Sequence, residues 1–175
     1  MIKIAITGHR DLKIENIDDY KIQIKEYIED IAKNTNKQIK IITPLADGAD
    51  RLVAYVSMEL GLEFEVILPM DRELYIKDFT ETSLVEFDYL LSKSLAVDTM
   101  PLYWDNTIES IKEYGIDRDY QYSEVGRSLA KEADYMIALW DRIDNQKWGG
   151  TAHIVNMRRN YYNKNIFIID VERKK

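Results

Sequence analysis

Six short apolar runs, most of them separated by a stretch with helical periodicity, constrain this chain more than any other feature. Residues 2–7 are β-branched and apolar and stop at Gly8. Residues 39–43 and 64–68 repeat the pattern and stop at Pro44 and Pro69, and residues 94–97, 135–140 and 166–169 complete the set. Runs apolar throughout, not alternating with polar residues, predict strands buried on both faces. Between them, Ile24, Tyr27, Ile28 and Ile31 recur at helical spacing over residues 18–33. Residues 50–60 predict a second helix with Gly61 as its C-cap. Ser83-x-x-Glu86 resembles a capping box opening a third, lined by Leu84, Phe87, Leu90 and Leu91. Residues 123–132, with Val125 and Leu129 inward, and 152–160 predict two more. Residues 98–122, rich in Asp, Tyr and Lys, read as a long loop with a short helix over 108–114, the kind of loop that often serves as a lid. The fold class expected is α/β: a Rossmann-like, doubly wound, mostly parallel sheet with helices on both faces, in one domain over residues 1–175.

Composition narrows the function classes. With no cysteine, disulfides and thiolate metal sites are excluded, and His9 and His153 alone make a zinc site improbable. No apolar run approaches the roughly 18 residues that span a bilayer, and the amino terminus lacks a secretory leader pattern. A cytoplasmic protein without membrane contact is the expectation. The net charge of −7, with a basic run only at residues 173–175, leads to the expectation that nucleic acid is an unlikely partner. A few arginines can still focus a positive field on a small anion.

Ligands of doubly wound sheets bind beyond the carboxyl ends of the strands, where the strand order reverses. Three loops there carry the unusual residues. In the first, Gly8 permits a sharp turn, Arg10 suits a bidentate pair with phosphate or carboxylate, and His9 can bond a ligand or exchange a proton; a tight turn with a solvated arginine is the alternative. In the second, Asp47, Gly48, Ala49, Asp50 and Arg51 lead into a helix whose amino end can receive an anion. Asp47 or Asp50 caps that helix or accepts from a ribose hydroxyl, and Arg51 serves an ion pair or the ligand. In the third, Asp141 follows a strand, and Trp148, Gly149, Gly150 and Thr151 follow it. There Trp148 can stack on a base, the glycines can cradle a phosphate, and Thr151 would cap the next helix. Neither a dinucleotide fingerprint nor a Walker sequence is present. Glu86 and Asp88 read as residues of a solvated helix face.

Taken in order, Thr7-Gly8-His9-Arg10, Pro44 to Arg51, Val66 to Met70 and Gly149-Gly150-Thr151-Ala152 resemble the SLOG superfamily of Rossmann-like domains. It unites DNA-processing proteins with the Lonely-guy hydrolases. The stretches Tyr122 to Arg127 and Ala133 to Asp141 fit the same pattern. The resemblance implies a nucleotide-binding domain, phosphate over the Gly-Gly-Thr turn, no cofactor, homo-oligomers, and sensors of nucleotide-derived signals (of an ADP-ribose or cyclic nucleotide type) beside effector proteins in bacterial conflict systems. Lonely-guy hydrolases place a catalytic glutamate two residues after the threonine, and here that position holds His153. Binding or sensing of a nucleotide-like small ligand is therefore the leading expectation. The alternative is an enzyme that cleaves or transfers an N-glycosidic bond, with Asp141, Glu124 or Asp50 as nucleophile or charge stabiliser and His9 as proton donor.

Overall fold

The computed structural model describes residues 1–174; Lys175, the end of the basic run noted above, lies outside the described residues. Strand β1 (Ile2–Gly8) leads through a 3-10 turn (Ile14–Asn16) to α1 (Ile17–Thr35), then β2 (Ile39–Thr43), α2 (Ala49–Glu59) and β3 (Glu63–Leu68). A short helix α3 (Arg72–Tyr75), continued by a 3-10 turn (Ile76–Asp78), precedes α4 (Glu81–Lys93) and β4 (Ala96–Thr99). The chain ends with α5 (Ile116–Glu132), β5 (Tyr135–Trp140), α6 (Thr151–Asn156), a π-helical turn (Met157–Tyr161) and β6 (Phe167–Asp170).

The strands form one sheet in the order β4-β3-β2-β1-β5-β6, every pair parallel. The chain winds outward from β1 to β4, then returns to the other side of β1 as β5. That reversal opens a crevice beyond the carboxyl ends of β1 and β5. Strand side chains alternate between two layers. Ile4, Ile6 and Ile41 join Ile24, Ile28, Val53 and Phe87 of α1, α2 and α4, while Ala5, Ile42 and Met136 join Val125, Leu129 and Ile154 of α5 and α6. Each fully buried isoleucine contributes about 1.5–3 kcal/mol relative to exposure, so this alternation fixes the register. Every residue of β4 is exposed, as suits an edge strand, and this is why its run is the weakest signal.

Local expectations fail where polar side chains bond the protein itself. Helix α4 starts earlier than the Ser83-x-x-Glu86 pattern implies: Thr80 is its N-cap and accepts the Ser83 N–H at 3.2 Å, leaving Glu86 to pair with Arg51. Over 108–114 only a single turn forms: the Thr107 and Ser110 side chains accept each other's backbone N–H groups and the Ile111 N–H reaches Thr107 O, but the chain does not continue as a helix. Helix α5 begins seven residues earlier than expected. Its first turns turn polar residues inward: buried Gln121 donates to Pro101 O and accepts from Tyr103 N–H, and buried Asn106 donates to Asp117 O. Arg118 donates to Ile111 O, Leu74 O and Asp78, with both partners of that ion pair only 1% exposed. Residues 100–115 are thus tied to α5 and α3 by a buried polar network.

Candidate functional site

A cavity of about 320 Å3 lies at the crevice. Its wall is built by the loop after β1, the loop before α2, α3, α5 and the turn before α6. The loops are held backbone to backbone. Ala49 N–H donates to His9 O, and Gly48 (φ +74°) passes so close that a Cβ there would lie 2.4 Å from Arg10 O. Across the cavity, Gly149 (φ +69°) packs against Tyr122 and Ser123, where a Cβ would lie 2.8 Å from Tyr122 Cβ.

Of the residues singled out in the sequence, Gly8, His9, Arg10, Asp50, Trp148, Gly149, Gly150 and Thr151 line this cavity together. Asp47, Gly48, Ala49, Arg51, Asp141 and Glu124 do not. Gly48 and Ala49 join the two loops behind it. Arg51, 2% exposed, faces the protein: Nε donates to Leu45 O, and Nη1 to Ser83 O and Glu86, with Asp47 at 2.9 Å. Asp47 also accepts from Ser83 Oγ. Neither aspartate caps α2, whose N-cap is Gly48; Asp50 instead accepts the Ala46 N–H at 3.1 Å. Thr151 does not cap α6 either, since Gly150 holds that position. Glu124 pairs with Arg127 beside a separate groove that includes Trp104.

Arg10 is a cavity-lining cation with donors to offer. Its guanidinium makes no hydrogen bond among the described residues and sits 5.4 Å over the Tyr122 ring. Burial works against its charge, but Asp78, Asp50 and nearby tyrosines hold its pKa above the ordinary value, so it stays a cation. Asp78 itself is engaged by Arg118 and the Tyr122 hydroxyl. Arg173, the first residue of the basic run at 173–175, also reaches the cavity wall, paired with Asp11 at 2.9 Å and near Asp141 at 3.6 Å. The Leu12–Arg173 bridge brings it there, a long-range pairing with no local sequence signal.

His9 Nε2 lies 2.9 Å from Asp141 Oδ1. Burial opposes ionisation of Asp141, yet the Ile143 N–H, His9 and Arg173 outweigh it and hold the carboxyl below its usual range. The Gly-Gly-Thr turn engages two of its own donors internally: Gly149 N–H donates to His153 Nδ1 at 3.0 Å and Gly150 N–H to Lys147 O. Burial lowers the His153 pKa, which keeps Nδ1 an acceptor. His153 also meets the Trp148 ring edge-on at 4.7 Å, and Trp148 meets Tyr120 at 5.6 Å.

Burial pushes the Asp50 carboxyl up to about 7, against the Ala46 N–H and the Arg10 and Arg51 charges. A carboxyl raised on folding contributes stability below its unfolded value near 3.9, and that contribution is lost as pH rises through about 7. Asp50→Asn keeps an acceptor for Ala46 without the charge. We expect it to exceed the wild type in urea at pH 8 by roughly 2–4 kcal/mol, the gap closing toward pH 4. Equal midpoints at pH 8 would show that ionised Asp50 carries no such cost.

No protein-family model and no curated protein matches the chain. Among solved structures the fold is similar to DNA processing protein A from Streptococcus pneumoniae, with TM-score 0.63, 12% identity, and coverage of 96% of this chain and 50% of that one. It is similar to DNA processing protein A from Helicobacter pylori, described for its single-stranded DNA binding mode, at TM-score 0.57 and 15% identity, covering 95% and 64%. The TM1055 protein matches at TM-score 0.50 and 16% identity, covering 95% and 72%. The chain thus spans 50% and 64% of the lengths of the two DNA processing proteins, and at these identities the likeness shows the fold alone. It also corrects one expectation. The expectation that nucleic acid is an unlikely partner does not hold, because a similar fold occurs in a protein described for its single-stranded DNA binding mode. Net charge describes the whole surface, whereas strand binding depends on local field and aromatic stacking. Among the described residues no helix is long and apolar enough to cross a membrane.

Proposed function

We propose that this chain is a binding module of the SLOG type for a nucleotide or nucleotide-derived ligand, free or as a unit of a single strand. The observation that carries the reading is Arg10: a cation in a cavity at the strand-order reversal, with its hydrogen-bond donors not engaged by the protein. Arg10 would take a phosphate. Half-exposed Trp148 and exposed Tyr114 would offer ring faces to a base. The volume of about 320 Å3 suits a small ligand, at the low end of the usual range.

A second reading has its own observation, the 2.9 Å approach of His9 to Asp141. In it, Asp141 orients His9, His9 protonates the leaving base as the N-glycosidic bond breaks, and a water adds to the sugar carbon that the base leaves, releasing its proton to solvent.

A thermal-shift panel tests both. It holds adenosine, nucleoside 5′-monophosphates, cyclic nucleotides, ADP-ribose and a short single-stranded oligonucleotide. A true ligand at about 100 times its dissociation constant adds roughly 2.7 kcal/mol. The proposal predicts a selective rise with the ligand recovered intact. A rise with base released favours the enzyme, and indifference to every member contradicts both readings.

A further inference from the structure

The cavity wall holds a hydroxyl for which the protein provides no partner. Tyr75 of α3 is wholly buried, its ring packed edge-on against Phe79 at 4.9 Å and Phe87 at 5.9 Å. Its Oη makes no hydrogen bond among the described residues. Leaving a buried hydroxyl unpaired is costly, and phenylalanine would supply the same ring without that cost. Packing therefore accounts for the ring and not for the oxygen. Tyr75 lines the cavity with Arg10, whose guanidinium is likewise not bonded by the protein. Burial pushes the phenol far above its ordinary range, so Oη keeps a proton to donate.

The nearby carboxylates do not relieve either group. Asp78 is bonded to Arg118 and Tyr122, and Asp50 Oδ2 accepts from Ala46. Two donors borne by residues that line one cavity, one charged and one neutral, suit an oxygen-rich anion.

We infer that Tyr75 Oη and the Arg10 guanidinium form an oxyanion subsite in the cavity wall, Tyr75 donating to one oxygen of a phosphate or carboxylate held by Arg10. The inference rests on the cavity being the ligand site proposed above. It makes Tyr75 a ligand-binding residue that separates anionic ligands from their uncharged counterparts.

The test compares wild type and Tyr75→Phe by thermal shift and equilibrium titration with inorganic phosphate, acetate, adenosine 5′-monophosphate and adenosine. Without additive, the variant should melt at or above the wild type, since it loses only an unpaired hydroxyl. Its affinity for whichever oxyanion stabilises the wild type should fall roughly tenfold or more, with adenosine unaffected. Phosphate against acetate tells which anion the subsite takes. Equal oxyanion affinity in the two proteins overturns the inference and leaves the ligand site standing. A variant that melts earlier also overturns it, because the hydroxyl would then have a structural partner. Stabilisation by adenosine alone overturns the subsite while keeping a nucleoside site, and stabilisation by none of the four overturns both.

Discussion

Arg51→Ala is expected to lose about 2–4 kcal/mol of folding stability, chiefly from the Leu45 and Ser83 carbonyls left without their donor, since the Asp47 and Glu86 carboxylates are 30% and 42% exposed and water can solvate them. The side chain is 2% exposed and joins three segments: Leu45 O in the loop before α2, and Ser83 O and Glu86 in α4, with Asp47 closing the set. Its guanidinium also lies 4.8 Å from the Phe79 ring. Removing it leaves two carboxylates and two carbonyls without their donor at the α2–α4 contact. Urea unfolding followed by far-UV circular dichroism checks this. A loss below about 1 kcal/mol would mean that solvent replaces these bonds, and that Arg51 is available to a ligand after all.

Arg10→Ala should behave in the opposite way. Its guanidinium bonds nothing among the described residues, so folding should change by no more than about 1 kcal/mol, chiefly from the lost contact with Tyr122. Binding of any phosphate-bearing member of the panel should fall by roughly 10- to 100-fold or more, as expected for losing charge-assisted bonds in a partly desolvated site. Two arginines that each closely follow a glycine in the sequence thus separate into a ligand anchor and a structural clamp.

That separation marks what the sequence can and cannot convey. The strand runs and helical periodicities are local, and they predict a mostly parallel sheet and, α3 apart, the order of its main elements. They also predict which loops meet, because parallel strands bring their carboxyl ends to one edge. Partners set by tertiary approach have no such signal. Arg51 stands beside Gly48 and Asp50 as a ligand residue would, but two of its acceptors, Ser83 O and Glu86, come from α4, more than thirty residues away. Arg173 comes from the far end of the chain to reach the cavity. Tyr75 carries no motif; only its buried, unpartnered hydroxyl distinguishes it. The start of α5 was masked for a related reason, since its inward face carries Arg118 and Gln121 where an amphipathic pattern expects apolar residues.

The account's central claim is that the cavity at the strand-order reversal, through Arg10, binds a nucleotide-like anion. Amide NMR titration of wild type and Arg10→Ala with adenosine 5′-monophosphate and ADP-ribose tests it most directly. The account predicts wild-type shifts confined to residues 8–11, 44–50 and 148–152, saturable with at least one of the two ligands and lost in Arg10→Ala. Shifts centred on the groove beside Trp104, or shifts that persist unchanged in the variant, would contradict it.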